Sequence, residues 1–308
     1  MFARDFTNFY TFPAGRNADQ MQVIGDFVTY MTWSGPRSVP PTHTWSEGEI
    51  LPAALVGNGA PTGATLSTYR VVRAVSEVEC IGFFDSVNCY DNAFVSVGPC
   101  HWTLGIVDST GAFSEGELCG YLAYLAHMDP PAFRQAIEFF GVSIDERWVS
   151  AAGPADGADM FSAGQRKYTG WVALQQQNGT FTRLAQTEAD GNYFKTWHWH
   201  YRFVMAGRTI QGYRERMWDI ARVRLRDIRS VPWGAGVAQV GAGTPTARAA
   251  TVGDVFTSER ANAMLLRWHI RFPAHVIAAG RPAARLRDAL ARATAAAPTL
   301  PWNADPST

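Results

Sequence analysis

This chain is short of lysine, cysteine, net charge and long apolar runs, and each shortage removes a class of answer. Of its 27 basic side chains only Lys167 and Lys195 are lysines, an arginine bias that fits GC-rich coding and carries no function. The 27 basic groups are cancelled by 27 acidic ones. That removes the electrostatic case for wholesale nucleic-acid or membrane-surface binding and leaves any polyanion contact to be local. No stretch of roughly 18 apolar residues occurs, so no transmembrane segment is expected. The opening MFARDFTNFYTFPAG lacks the uninterrupted apolar run of a secretory signal, so synthesis in the cytoplasm without a classical signal peptide is expected. Four cysteines in 308 residues do not make a disulfide scaffold. There is also no G-x-S-x-G elbow, no Walker A run, no G-x-G-x-x-G after a strand and no H-E-x-x-H pair.

What is present is a large apolar store, 47% of residues with 13% aromatics, enough to bury a substantial core. Residues 1–60 are punctuated by Pro13, Pro36, Pro40, Pro41 and Pro52 and read as an irregular N-terminal arm packed on the body. LSTYRVVRAVSEVECI (66–81) has helical spacing, with Gly82 as its stop. NAFVSVG alternates and ends in Gly98-Pro99, which predicts a short strand or hairpin. Ser114 and Glu117 form a capping-box pattern before LCGYLAYLAHM, and Asp129 with Pro130 and Pro131 opens a further helix ending at Gly141. YRERMWDIARVRLRDI puts Tyr213, Met217, Ile220, Ala221, Leu225 and Ile228 on one stripe and an arginine-rich face outward. SERANAMLLRWHIRF and an Ala/Arg stretch supply the last helices, followed by a frayed tail at 301–308. The expected fold class is α+β, predominantly α-helical, with one small β-hairpin.

The chemistry concentrates in SEVECIGFFDSVNCYDNAFVSVGPCHWTLG (76–105). On a helix the stripe Val71, Val72, Val75 and Val78 leaves Glu77 about 160° away but Glu79 only about 45° from its centre. Glu77 is then a solvated acid and Glu79 a carboxyl at the edge of an apolar face, where partial burial disfavours the charged form, as a general acid requires. A structural ion pair with an arginine such as Arg73 is the plain alternative. Asp91 supplies a second carboxylate near the hairpin, with Asp85 as its competitor, and either is equally a turn residue. Two carboxylates across a groove are the working parts of glycoside hydrolysis. A sugar cleft also needs aromatic faces. Trp102 and Tyr121 are the favoured candidates, with Trp197 and Trp199 of KTWHWHYRF also available, although core packing is the ordinary reading of each.

A helix bearing Glu79, then Tyr90-Asp91, then Val95-Ser96-Val97-Gly98 and His101-Trp102-Thr103-Leu104-Gly105, resembles the catalytic-glutamate helix and β-hairpin of the lysozyme superfamily of phage-type and goose-type muramidases. The chain departs in a longer interval between the acids and in serine where phage-type enzymes carry threonine. The resemblance implies a lysozyme-like catalytic domain over 61–300 that cleaves peptidoglycan or a related polysaccharide without a cofactor. It makes Glu79 the proton donor, Asp91 and Ser96 the residues that orient water, and His101 a substrate-side polar group. It further implies action at the bacterial cell wall, reached with a phage-tail or secretion-apparatus partner. Two alternatives stand beside it: a non-catalytic polysaccharide-binding or structural component of a phage-like particle, and a metal-stapled interaction domain. For the latter, Cys80, Cys89, Cys100, His101 and Cys119 are the right ligand types, but their spacing lacks the short C-x₂₋₄-C knuckle of structural zinc.

Overall fold

The computed structural model describes residues 63–80, 84–88, 93–108, 110–148, 164, 168–195, 197–234 and 251–296. The expected arm and tail, Gly82, Cys89, Tyr90 and Asp91 lie outside the described residues. Helices make up most of what is described and the strands are short and antiparallel, so the chain is α+β with helix predominating. It divides into two compact units, the first Met1–Pro61, Ser76–Pro154 and Tyr168–Ile220, the second Thr62–Val75, Ala155–Lys167 and Ala221–Thr308.

Helix α1 (Gly63–Cys80) is the helix anticipated over 66–81. Val71, Val72, Val75 and Ser76 are buried and Glu77 is exposed, but Val78, expected in the stripe, is 56% exposed. The buried face is centred near Val72. Glu79 follows Val72 by seven residues and lies about 20° from it, whereas Val78 lies about 120° away.

In the first unit, β1 (Val87–Asn88), β2 (Ser96–Val97) and β3 (Trp102–Thr103) form an antiparallel sheet in that order. The β2–β3 hairpin is the one its alternation predicted. Its turn is closed by the His101 N–H donating to the Gly98 carbonyl at 3.0 Å, with Gly98 and His101 both at positive φ (71° and 56°). A second hairpin pairs β4 (Gly105–Val107) with β5 (Phe113–Glu115). Ser114 is not a helix cap: it sits in β5 opposite Ile106, and α2 (Leu118–Met128) starts after a Glu117 that makes no side-chain cap. Asp129 does cap α3 (Pro130–Ala136), accepting from the Ala132 N–H at 3.1 Å. That helix stops at Ala136, and a 3₁₀ turn (Glu138–Phe140) carries the chain to Gly141.

A third sheet, β6 (Val142–Trp148), β7 (Tyr168–Gln175) and β8 (Phe181–Arg183), goes beyond the single hairpin expected. Arg183 pairs with Asp145 of β6 within this sheet at 2.5 Å and ties it to the β4–β5 hairpin through Glu115 at 3.2 Å. Helices α4 (Glu188–Asn192), α5 (Trp197–Thr209) and the first half of α6 (Gln211–Ser230) complete the unit.

The second unit holds the rest of α6, α7 (Val252–Val255), α8 (Glu259–Arg271), α9 (Pro273–Val276), the β9–β10 hairpin (Ile277–Ala278 with Arg281–Pro282) and α10 (Ala284–Ala296). The α6 stripe from Tyr213 to Ile228 is buried as its spacing predicts. Its arginine face is only partly outward. Arg222, Arg226 and Arg229 are exposed, but Arg224 is fully buried and donates through Nε to His269 Nδ1 (2.9 Å) and through Nη2 to the His269 carbonyl (2.6 Å). A guanidinium can be buried where its N–H groups find such acceptors.

Candidate functional site

The site begins at the last turn of α1. Because Glu79 continues the Val72 face, it points where the helix is buried, yet the helix ends one residue later and leaves it half-buried. A carboxylate that meets protein on one side and solvent on the other is suited to trading a proton with a bound molecule. Glu77, on the opposite side, is exposed.

Seven residues after Cys80 the chain enters β1, and register then sorts the sheet's side chains. Val87, Val97 and Trp102 are directly opposite one another on one face; Asn88, Ser96 and Thr103 are opposite one another on the other. The first row is buried core. The second is a polar row in which Ser96 is buried between half-buried Asn88 and Thr103. Thr103 donates to the His101 carbonyl at 3.2 Å, so the 2.7 Å bond between Ser96 Oγ and Thr103 Oγ1 has the serine as donor. The Ser96 proton is therefore committed within the hairpin. Ser96 sets the position of Thr103 and of the His101 turn, while half-buried His101, Thr103 and Asn88 present polar groups at the sheet surface. Asn88 and Thr103 were missed by sequence reasoning; the signal was the V-N, S-V, W-T alternation read across strands.

The aromatic candidates fall elsewhere. Trp102 is 0% exposed and stacks on Tyr121 (centroids 5.4 Å, interplanar angle 15°). Tyr121 is also 0% exposed, meets the Tyr213 ring edge-on at 5.3 Å and donates its hydroxyl to the Tyr213 carbonyl at 2.7 Å. Burial holds the Tyr121 phenol well above its ordinary pKa, so it stays a donor. Trp199 is likewise 0% exposed, packed against Phe194 and Phe203. The expectation that Trp102, Tyr121 and Trp199 offer ring faces to a sugar is corrected: all three are core, because register and helix phase turn them inward. Trp197 is the first residue of α5. What the Trp102–Tyr121–Tyr213 column does is seat the hairpin on α2 and α6. Gly98 lets it come close, since a Cβ there would lie 2.8 Å from Met217 Sδ and 3.0 Å from the Trp102 ring.

Asp85, the competitor for the second acid, is 2% exposed, in the turn before β1. Helix α5 backs onto it at Gly207, where a Cβ would lie 2.7 Å from Asp85 Cα and 2.8 Å from the Phe84 carbonyl oxygen. Its carboxyl is thus a buried group beneath α5, unlike an exposed turn residue. Asp91, the preferred second acid, lies outside the described residues.

Cys100 and Cys119 are buried and not disulfide-bonded. Among the described residues no three histidine, cysteine or acidic side chains converge as a metal site would need. Comparison with protein-family models, with curated proteins and with solved structures finds no match to this chain, so the site stands on its own residues and geometry.

Proposed function

We propose that the first unit is a lysozyme-like glycoside hydrolase that cleaves the glycan strands of peptidoglycan or a related polysaccharide. The observation that carries the reading is Glu79, a half-buried carboxylate in the last turn of α1, followed along the chain by a sheet with the polar row Asn88, Ser96 and Thr103. In this reading Glu79 protonates the glycosidic oxygen as the bond to the anomeric carbon breaks. Water then adds to that carbon and gives its proton to Asp91, through an oxocarbenium-like transition state. Ser96 acts as a positioning residue that fixes Thr103 and His101, and those groups meet the sugar or the water. Carboxylates and hydroxyls supply the whole reaction.

Glu79→Gln keeps the shape of the side chain and removes its proton. Turbidity clearing of purified cell walls should fall by about 10²–10⁴-fold, the usual value of a general acid, with the urea midpoint unchanged. Glu77→Gln should clear at the parental rate. A Glu79→Gln protein as active as its parent would falsify the assignment, and a Glu77→Gln protein that loses activity would transfer it.

A further inference from the structure

The zero net charge hides a division. The second unit holds 16 basic residues against 7 acidic ones, and the first holds 11 against 20, so the units carry formal charges of +9 and −9. Within the second unit, α8 turns Asn262, Leu265, Leu266 and His269 inward. Taking that buried face as origin, Arg260, Met264, Arg267 and Arg271 fall within about 40° of the opposite direction, and Trp268 about 70° from it. Met264 is 62% exposed, Trp268 42% and Phe272, the C-cap, 55%. These three large apolar side chains recur every fourth residue, two on the outer half of the helix and the third at its C-cap, interleaved with exposed Arg260, Arg267 and Arg271. The one acid on the helix, Glu259, is paired with Arg70 at 3.3 Å at its start. Phe272 stacks on His275 (5.0 Å), which prolongs the row past the helix end.

We propose that the outer face of α8 docks on an anionic lipid surface, lying in the interface with Met264, Trp268 and Phe272 among the acyl chains and Arg260, Arg267 and Arg271 on lipid phosphates. Apolar side chains set among cations on one helix face match the two parts of such a surface, and tryptophan favours its headgroup level. A nucleic acid is the other polyanion, but it has nothing for the most exposed apolar group, Met264, which has no ring to stack on a base. A second copy presenting the same face would bring arginine against arginine. The α8 face makes no use of Glu79 or the sheet, so the proposal is independent of the hydrolase reading.

The test is co-sedimentation of the full chain with vesicles of phosphatidylglycerol and phosphatidylcholine, or of phosphatidylcholine alone, at about 0.1 M salt. The expected result is binding to the anionic vesicles and at least tenfold weaker binding to the neutral ones. Raising the salt to about 0.5 M should release the protein. The triple variant Arg260→Gln/Arg267→Gln/Arg271→Gln should lose roughly fivefold in partitioning per arginine. Met264→Ser/Trp268→Ser/Phe272→Ser should lose at least tenfold, and both triples should remain folded, with the far-UV circular dichroism of the parent, because every altered side chain is exposed. No binding to anionic vesicles, equal binding to neutral ones, unaltered binding by either triple variant, or tighter binding to a DNA duplex at the same phosphate concentration would each overturn the proposal.

Discussion

Trp102 shows how the surroundings of one ring decide what its loss does. It fills the space between β3, the Tyr121 ring and Gly98, with no exposed area. Trp102→Ala therefore leaves a cavity and should cost about 3–5 kcal/mol of stability, as large-to-small core changes do. Trp102→Phe, which keeps a ring against Tyr121, should cost well under half of that. Urea denaturation of both variants decides the matter. A ring that stacked on sugar would behave in the opposite way, with an unchanged midpoint and weaker substrate binding. Ser96 is the polar counterpart: its hydroxyl lies within a donor chain that ends on the His101 carbonyl, so its effect on a substrate is transmitted through the turn.

Between elements, the close approaches are made where a glycine has no side chain. The α5 backbone at Gly207 meets Phe84 and Asp85, both through backbone atoms that no rotamer change can move aside. Gly207→Ala should destabilise by about 1–3 kcal/mol through overpacking, even though alanine is the better helix former by about 1 kcal/mol. Gly63→Ala is the control: nothing lies within 4 Å of the added carbon, and the substitution should be neutral or slightly stabilising. Equal midpoints for the two variants would show that α5 is not seated on that turn. The helices themselves were legible because period and caps are local signals. Helices α1, α3, α6 and α8 run where their spacing puts them, and Asp129 opens α3 as its place before two prolines predicts. The sheet β6–β7–β8 was not, because its first pairing joins segments far apart in sequence. Its one local mark, Asn178-Gly179 in the β7–β8 turn, is the familiar hairpin signal and passed unread. In the site, the choice between Glu77 and Glu79 was legible from helix phase alone. The fate of Trp102 needed strand register, since a ring at a hairpin reads the same whether it faces core or solvent. Arg224 was illegible for a related reason: its acceptors lie forty-five residues away on α8.

Across the whole molecule, each unit buries one histidine among the described residues, and both respond to acid in the same direction. His200 in the first unit is 1% exposed, and burial lowers its pKa from 6.5 to about 3. His269 in the second is equally buried. Burial first, and then the adjacent Arg224 guanidinium, lower its pKa to about 3. Since Arg224 donates to Nδ1, the imidazole proton is on Nε2 and is given to the Gly164 carbonyl at 2.5 Å. A second proton would have to enter at Nδ1, facing a cation. In the unfolded chain both rings titrate near 6.5, so between that pH and about 3 the unfolded state binds more protons than the folded one. Stability must then fall as pH falls through this window, by up to about 1.4 kcal/mol per pH unit for each histidine. At pH 5 the loss is on the order of 2 kcal/mol per unit, before most carboxylates begin to titrate. Urea midpoints measured at pH 7, 6 and 5 should decline steadily. His200→Gln and His269→Gln should each flatten the decline, although the latter also forfeits the Arg224 contact and starts lower. A midpoint that stays constant from pH 7 to 5 would mean that the rings take up protons while folded, and that neither is as closed to water as its burial requires.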